Sequence, residues 1–567
     1  AFIFTCAKPT KPPTITKHPI SQKVGLGDRC TLTVEATGAE PMVYSWRKNG
    51  VDIPGTDSAT YPTPAIVEAD MGAQYDCMVI NQGGSKTSQK ATLTVVLPAP
   101  GPLAQAAPRV LLNDVATLNG LKASLAANNP PARRLRDMVQ AQMADATGNY
   151  AYNFQAYFAA LMFRLTDDQT YAQYAHDWVM ENLTAEETLI AAGANPRIAK
   201  DSYLEIGGEL GDMLLVLDWC RDKFSPTEIE RIITFGNQAV NNVWNHLGAS
   251  WNGRNAPWSG WSVDNPSNNY FYSFIQATML MGLVTYGDNP QAQKHLNTFY
   301  SDKVKILMAR TFARDLPGGG SREGTGYGMS IRSLWKIYMM WEKSTGVNIT
   351  DVSTHTINSA YWMLHSMVPG GKFMTPLGDH ARESTGAFYD YHRELLLGLL
   401  PLHPTDAGAR AARSMLVDSG YLQMRNSFNF VADFLYEEAA IAPLPMTALY
   451  PAFYDAGTGH ISARTGWDAG ATYVHQNAGP FTESHAHRDQ GHFVIWRHGW
   501  LLDDANIRSS SGLSLEEFNH NVVRYVGPSG VVTQVVSASP SEVLALFDNA
   551  HFHYAVTDST PVYSGKA

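Results

Sequence analysis

The chain has 567 residues, of which 44% are hydrophobic and 17% are charged, and its formal net charge is −10 at pH 7. This composition is typical of a soluble globular protein with about three or four domains. The acidic balance argues against a nonspecific nucleic-acid binder, which needs broad positive potential, and no apolar run reaches the length that spans a bilayer.

The first seven residues, Ala1 to Ala7, are apolar and then small. They resemble the end of a secretion signal, although a positively charged start is missing. We interpret them as a possible remnant of such a signal rather than as part of a domain.

Short alternating strand patterns fill the N-terminal part of the chain. Cys30, Trp46 and Cys77 have the spacing of an immunoglobulin-type sandwich, and Tyr75 precedes the last of them by two residues, as in a tyrosine corner. We predict an immunoglobulin-like β-sandwich over residues 8–97, with a Cys30–Cys77 disulfide. The disulfide implies an oxidising compartment and hence a secreted, periplasmic or cell-surface protein. The alternative is two buried free thiols.

Residues 98–107 are rich in proline, which breaks both helix and strand, and we predict a linker there. Helical patterns dominate residues 108–450. The clearest of them starts at Ser225, where Pro226 and Glu228 supply proline at N1 and glutamate at N3. Consecutive helical hairpins without a regular repeat predict a large all-α domain, of the toroid type rather than a solenoid.

A loop in this region, residues 258–270, has the composition of a glycan cleft. It contains Trp261, Asn268, Asn269 and Tyr270. Aromatic faces stack on sugar rings, and amides pair with carboxylate or hydroxyl groups. The alternative is helix-capping asparagines beside core tryptophans.

A second loop, residues 318–328, presents Tyr327 among glycines, whereas a core tyrosine normally has apolar neighbours. Several basic groups could attract an anionic chain, although a surface salt bridge is the more frequent role of each. These groups are Arg322, Arg332, His380, Arg382 and Arg488.

Past Pro451 the periodicity drops to two, which predicts an antiparallel sheet domain over residues 451–567. His485 and His487 run straight into an apolar strand pattern, and on a strand both would project from one face. An imidazole is both an acid/base group near neutral pH and a common metal ligand, so the pair can divide those tasks. The alternative is a solvated strand end that happens to contain histidine.

Metal-ligating residue types follow downstream. Asp503 and Asp504 come after the next apolar run, and His520 opens another. Together with His487 they offer two imidazoles and a carboxylate, which is a zinc-competent set with one position left over.

An HxHxD motif that begins at His485 is followed by an apolar strand, by Gly499 to Asp503 and then by His520-Asn521. This order resembles the C-terminal region of the heparinase II/III-like polysaccharide lyases. The resemblance implies a multidomain chain with a central incomplete (α/α) toroid. It also implies a C-terminal antiparallel β-sandwich. The family's sandwich is usually longer, so either the given sequence is incomplete or the sheet is reduced.

The resemblance assigns roles by position. The catalytic residues that it implies are Asn269, Tyr327 and His485. The ligands of a structural zinc that it implies are His487, Asp503 and His520. Asp504 is a rival for Asp503, because Ala505 stands where the family usually has glycine. The zinc would brace the sheet and hold His485 rigidly.

Such a lyase would cleave a uronate-containing polysaccharide, of the alginate or glycosaminoglycan type, by β-elimination. Its partner would therefore be an anionic polysaccharide. Some members have histidine after the asparagine, where this chain has Tyr270, so the base stays open between His485 and Tyr327. The residues expected to bind the substrate are Asn268, Tyr270, Trp261, Arg322, Glu323, His380, Arg382 and Arg488.

Two other classes of function remain open. An α/α-barrel glycoside hydrolase needs a carboxylate pair that flanks the scissile bond, for which Glu323 and Asp379 are the candidates. The third class is a noncatalytic surface protein whose cleft holds glycan and whose histidines serve only structure.

Overall fold

A computed structural model describes residues 11–96, 103–145, 153–379, 386–436, 441–505, 515–536, 541–549 and 551–563. The predicted signal remnant and the first residues of the predicted linker lie outside these ranges. The chain divides into two compact units. One comprises Ala1–Pro100 with Gln293–Leu307, and the other comprises Gly101–Ala292 with Met308–Ala567.

The N-terminal part of the first unit consists of short strands. They are β1 (Thr14–Lys17), β2 (Gln22–Gly25), β3 (Thr31–Thr33), β4 (Glu35–Thr37), β5 (Val43–Lys48), β6 (Val51–Asp52), β7 (Thr60–Pro62), β8 (Gln74–Asn81), β9 (Gly84–Thr87) and β10 (Ala91–Val96). The main sheet has the order β2-β10-β8-β5-β6, with β9 added to β8, while β1 pairs with β4 and β3 with β7. The alternating buried residues of β10 confirm the predicted strand pattern.

Trp46 is the centre of the sandwich core, as the sequence predicts. Its side chain is fully buried and lies opposite Cys77 in the β5–β8 register. The disulfide prediction is wrong, because Cys30 and Cys77 are both free thiols. The Cys30 sulfur lies 3.8 Å from the Thr63 hydroxyl, while the Cys77 sulfur lies 3.9 Å from its neighbour's carbonyl oxygen. Burial raises the pKa of the Cys77 thiol to about 11.

Helices follow in chain order. They are α1 (Val115–Ala126), α2 (Pro130–Ala144), α3 (Tyr157–Thr166), α4 (Gln169–Ala191), α5 (Ile206–Trp219), α6 (Pro226–Trp244), α7 (Asn269–Val284), α8 (Ala292–Asn297), α9 (Ala309–Asp315), α10 (Arg332–Thr345), α11 (His355–His365), α12 (Asp390–Leu402), α13 (Ala407–Asp418) and α14 (Phe430–Tyr436). A short hairpin of β11 (Ser250–Trp251) and β12 (Arg254–Asn255) precedes α7, and a π-helix spans Thr298–Met308. No described helix is long and apolar enough to cross a membrane.

Local sequence signals explain where some of these helices begin. The predicted capping box at the start of α6 is confirmed, since Ser225 accepts from the Glu228 N–H and Glu228 accepts from the Ser225 N–H. Helices α5 and α7 are apolar on nearly all sides and pack against each other in the core. Gly207 permits this contact, because a Cβ there would lie 2.6 Å from the Ser273 carbonyl oxygen. The middle of the chain is therefore helix-rich.

The C-terminal region is antiparallel β-structure. Its strands are β13 (Ala452–Asp455), β14 (His460–Arg464), β15 (Tyr473–Asn477), β16 (Phe493–Trp496), β17 (Trp500–Leu502), β18 (Tyr525–Gly527), β19 (Gly530–Val532), β20 (Glu542–Asp548) and β21 (His553–Asp558). Strands β13 to β17 form one sheet in sequence order, and the remaining four form two hairpins.

Buried Arg464 on β14 links this sheet to the helices by hydrogen bonds. Its Nη2 donates to the carbonyl oxygens of His365 and Met367 at the end of α11, at 3.1 and 2.9 Å. Burial lowers the pKa of this guanidinium to about 10. Because α11 and the sheet are linked in this way, loops from both can meet at one site.

Candidate functional site

The glycine-rich loop that carries Tyr327 runs along the segment that contains Leu377 and Asp379. The N–H groups of Thr325 and Tyr327 donate to the carbonyl oxygens of Leu377 and Asp379, at 2.9 and 2.6 Å. Gly324 has φ +83°, and a Cβ there would lie 1.9 Å from the Leu377 carbonyl oxygen. Only glycine therefore allows the two segments to approach this closely.

His485 lies in a turn and His487 in the irregular segment after it, both before β16, so the prediction that both are on a strand is wrong. The turn closes on the same segment, because the Asp379 N–H donates to the His485 carbonyl oxygen at 3.0 Å. The two rings still converge. His485 Nδ1 lies 2.7 Å from one Asp379 carboxylate oxygen, and His487 Nε2 lies 2.7 Å from the other.

Asn269, Tyr327 and His485 come together from three separate segments of the chain. The Tyr327 and His485 rings stack with centroids 3.6 Å apart and planes inclined by 18°. Asn269, the first residue of α7, directs its Nδ2 to the Tyr327 hydroxyl at 3.4 Å. The buried Oδ1 of Asn269 has no hydrogen-bond partner among the described residues, which leaves an acceptor beside the hydroxyl.

Asp379 is the electrostatic centre of this cluster. Burial alone would raise the pKa of its carboxyl, but the hydrogen bonds and charges of His485 and His487 outweigh burial, and the pKa is lowered. An ionised carboxylate only accepts hydrogen bonds. His485 Nδ1 and His487 Nε2 therefore donate these two hydrogen bonds, so Nε2 is the ring nitrogen at which a base form of His485 would accept a proton.

Asn268 and Glu323 are not at the cleft surface, so their prediction as substrate contacts is corrected. Both side chains are fully buried. Asn268 caps α7 by accepting from the Tyr270 N–H at 3.2 Å, and its Nδ2 lies 3.2 Å from Glu323 and 3.4 Å from Glu483. Burial and then the charge of Glu483 raise the pKa of Glu323 well above its usual range. The capping alternative therefore describes Asn268.

The other predicted substrate contacts are scattered. Trp261 is 47% exposed, and the Tyr270 hydroxyl donates to Asp201 at 2.9 Å. Arg322 lies 3.6 Å from the carboxylate of Asp315, and Arg488 pairs with Glu516 and donates to the Gln534 carbonyl oxygen. The salt-bridge alternative thus describes both arginines. His380 and Arg382 lie outside the described residues.

A cavity of about 770 Å³ adjoins this cluster within the helical region, and both Asn269 and Tyr327 line it. The sequence analysis did not single out most of its ionisable lining residues. Glu209 on α5 is exposed to the cavity, and desolvation by the protein around it raises its pKa to about 7. Lys336 on α10 donates to the Tyr157 hydroxyl at 3.1 Å. Lys336 lies on an amphipathic helix, where a charged residue carries no separate sequence signal, whereas Glu209 interrupts the largely apolar helix α5.

A second histidine cluster lies deeper in the C-terminal region. His492, Asp504 and His520 have potential ligand atoms within 4.8 Å of one another, and all three are buried. Asp504 is thus the carboxylate that the structure places beside His520, at 2.8 Å from its Nδ1, whereas Asp503 accepts from Asn521 through its backbone carbonyl. Of the two rival carboxylates, the structure therefore places that of Asp504 beside the histidine.

This second cluster has the chemistry of a zinc site. His520 Nε2 and His492 Nε2 are buried without a hydrogen-bond partner among the described residues, as expected for atoms that face a metal. His487 donates through Nε2 to Asp379, but its buried Nδ1 has no hydrogen-bond partner among the described residues, and its ring centroid lies 5.2 Å from that of His520. His492, which sequence analysis missed, joins Asp504 and His520 in this cluster, and the prediction of His487 as a ligand stays a prediction. His492 directly precedes β16, a position that could have indicated it.

Comparison with known proteins covers the N-terminal domain. Residues 12–81 match the family described as Immunoglobulin domain, so this domain is immunoglobulin-like. A "Decoration protein" of Escherichia phage T5 is 35% identical over 97 residues, which are 17% of this chain and 59% of that protein. The chain therefore spans less than two thirds of that relative's length.

Solved structures similar to the chain contain immunoglobulin domains. A titin I-band fragment is 28% identical, with 15% of this chain and 33% of that chain covered and a TM-score of 0.14. The tandem Ig repeats of Dlar are 22% identical, with 15% and 48% covered and a TM-score of 0.14.

Proposed function

We propose that the protein is a polysaccharide lyase that cleaves a uronate-containing glycan by β-elimination. The observation that carries this proposal is the contact between Asn269, Tyr327 and His485 at the edge of a large cavity. These three groups suffice to neutralise a carboxylate, remove a proton and protonate a leaving oxygen.

The substrate sets the chemical problem. The C5 proton of a uronic acid lies next to a carboxylate whose negative charge disfavours a carbanion. Asn269 presents Nδ2 and an unpartnered Oδ1, so it can share protons with that carboxylate and stabilise the enolate-like charge. A base then takes the C5 proton. The electrons of the C5–H bond form the C4–C5 double bond, and the C4–O4 bond breaks as O4 receives a proton.

His485 and Tyr327 supply the base and the acid. Because Asp379 accepts from Nδ1 of His485, the Nε2 lone pair is available to take the C5 proton. The Tyr327 hydroxyl, stacked against that ring, donates to O4. If both protons move on one face of the sugar, Tyr327 performs both transfers and His485 orients its ring.

We propose further that His492, Asp504 and His520 hold a structural zinc. A zinc held by these three residues would brace the loops between β16 and β18. These residues orient one another through the carboxylate of Asp504, which contacts both imidazoles. Atomic absorption of the purified protein tests this assignment, with one zinc per chain expected and loss of the metal in His520→Ala.

One assay separates the lyase from the alternatives. The protein is incubated with alginate, heparan, chondroitin and hyaluronan, and the ultraviolet absorbance of the unsaturated uronate is followed. A lyase produces this absorbance, a hydrolase produces reducing ends without it, and a glycan binder produces neither. The hydrolase is less well supported, because Glu323 is fully buried and Asp379 is occupied by two histidines.

The proposed localisation is extracytoplasmic, as for other glycan-degrading enzymes whose polymeric substrates lie outside the cell. The proposal rests on the location of the substrate alone. The disulfide gives it no support, because the thiols of Cys30 and Cys77 are free. Cell fractionation with an antibody against the N-terminal domain tests it.

A further inference from the structure

The wall of the cavity beside Asn269 and Tyr327 is net acidic. Carboxylates outnumber cations among its described lining residues. The carboxylates are Glu186, Glu205, Glu209, Asp212 and Glu394, and the cations are Arg197, Arg332 and Lys336. A site that binds a densely charged polyanion would show the opposite balance.

Two of the three cations are already paired with carboxylates of the same wall. Arg197 Nε lies 2.7 Å from Glu186, and Arg332 Nε lies 2.7 Å from Glu394. The Arg332 guanidinium also lies 3.5 Å from the centroid of the Tyr391 ring. Moving either arginine to a ligand would leave a carboxylate without its cation, which is costly away from solvent.

The third cation, Lys336, faces a phenol instead. Its Nζ donates to the Tyr157 hydroxyl at 3.1 Å and lies 4.6 Å from the centroid of that ring. The lining thus offers one cation that can turn to a ligand without breaking a carboxylate pair. Lys336 and the Asn269 amide can together bind the one carboxylate of a uronate. No further cation of the described lining is available for an additional sulfate.

The acidic groups would also repel further anions. Asp212 accepts from the N–H groups of Ala156 and Tyr157, which fixes its position in the wall, and Glu209 lies one helical turn before it on α5. A sulfate ester is ionised at every pH the protein tolerates, so it would meet these carboxylates as a like charge.

We infer that the glycan held in this cavity is an unsulfated uronan, in which the uronate carboxylate is the only anionic group of each bound sugar. This inference rests on the proposed function and specifies its substrate class. It distinguishes hyaluronan and the unsulfated precursors of glycosaminoglycans from heparan sulfate and chondroitin sulfate.

Matched pairs of glycans test the inference. Heparosan is compared with heparan sulfate, and chondroitin with chondroitin sulfate, by the ultraviolet absorbance of the product at pH 8 with the full-length chain. We expect kcat/KM to be at least about tenfold higher for the unsulfated member of a cleaved pair. Equal or faster cleavage of the sulfated member overturns the inference and leaves the proposed lyase intact. If neither pair nor alginate nor hyaluronan yields unsaturated product, the proposed function fails and the inference with it.

A variant of the wall provides the second test. Glu209→Gln removes one charge while keeping the shape of the side chain. We expect it to reduce the ratio of kcat/KM between the unsulfated and the sulfated glycan by about threefold. If the sulfated glycan is not cleaved, its inhibition constant against the unsulfated substrate is measured instead. Glu187→Gln is the control, since Glu187 pairs with Arg231 and does not line the cavity. An unchanged discrimination in Glu209→Gln would show that the charge of the wall does not select the substrate.

Discussion

Two aspartates of this protein each hold a pair of histidines, and their surroundings differ. Asp379 contacts His485, whose side chain is 24% exposed, whereas Asp504 contacts His492 and His520, whose side chains are fully buried. The same three-group pattern is thus open to a ligand at one place and closed at the other. An exposed imidazole can exchange protons with a substrate, and a buried set can only hold structure or a metal.

The largest effect is expected at Tyr327, whose ring stacks on the partly exposed His485. Tyr327→Phe removes the hydroxyl that would donate to O4, and we expect lyase activity to fall by about 10³-fold while the protein stays folded. Ultraviolet product formation and circular dichroism measure the two quantities. Tyr450→Phe, at an exposed tyrosine, is the control and should keep full activity. Activity retained in Tyr327→Phe would remove this residue from the mechanism.

Asp379→Asn tests whether Asp379 holds His485 and His487 in the orientation that the reaction needs. An amide can accept from only one imidazole, so His485 loses its fixed tautomer, and we expect kcat to fall by about 10²-fold with little change in KM. Steady-state kinetics measure the split. A rise in KM at constant kcat would place Asp379 in substrate binding instead and would contradict the positioning role.

Asp504→Asn is the matched change at the aspartate that contacts the buried His492 and His520. We expect the free energy of unfolding to fall by roughly 3 kcal/mol, because a buried polar partner of two imidazoles is weakened. Bound zinc should be lost as well, and kcat should fall less than in Asp379→Asn. Denaturant unfolding, metal analysis and kinetics measure the three. If Asp504→Asn abolished activity without changing stability, the contrast between the two pairs would be wrong.

A third aspartate sharpens the comparison because backbone groups rather than imidazoles hold it. Asp218 accepts from the N–H groups of Arg109 and Val110, yet burial raises its pKa from 3.8 to about 6. The folded protein therefore binds this proton more tightly than the unfolded chain does. The stability that this group contributes is present below pH 4 and is lost as the pH rises through 6.

We expect the Asp218→Asn variant to lack this loss, which is on the order of 2 kcal/mol between pH 4 and pH 7. Urea unfolding of both proteins at the two pH values isolates it, since all other groups cancel in the difference. A pH dependence identical in both proteins would show that Asp218 titrates normally.

The smallest effect is expected in the N-terminal domain. Because Cys30 and Cys77 are free thiols, a reductant should change the free energy of unfolding by less than about 1 kcal/mol, whereas loss of a disulfide typically costs 2–5 kcal/mol. Unfolding with and without dithiothreitol measures the difference. A large destabilisation by the reductant would mean that the bond forms in solution.

Local patterns were the features that sequence analysis predicted well. The capping box at Ser225, the core position of Trp46 and the alternating strands of the C-terminal region depend on residues close together in the chain. Their physical causes are hydrogen bonding within one helical turn and burial of one face of a strand. The immunoglobulin-like domain, the helix-rich middle and the C-terminal β-region followed from them.

Long-range contacts decided the rest. Asp379 lies more than a hundred residues before the histidines that it binds, and Gly324 permits that approach through one backbone contact. Asp503 and Asp504 are adjacent and identical in type, so no pattern separates them, and only the fold turns Asp504 towards His520. The sequence by itself determined which chemical groups were available and which elements carry them. The tertiary structure alone decided which groups meet and which are buried, because both depend on the packing of segments distant in the chain.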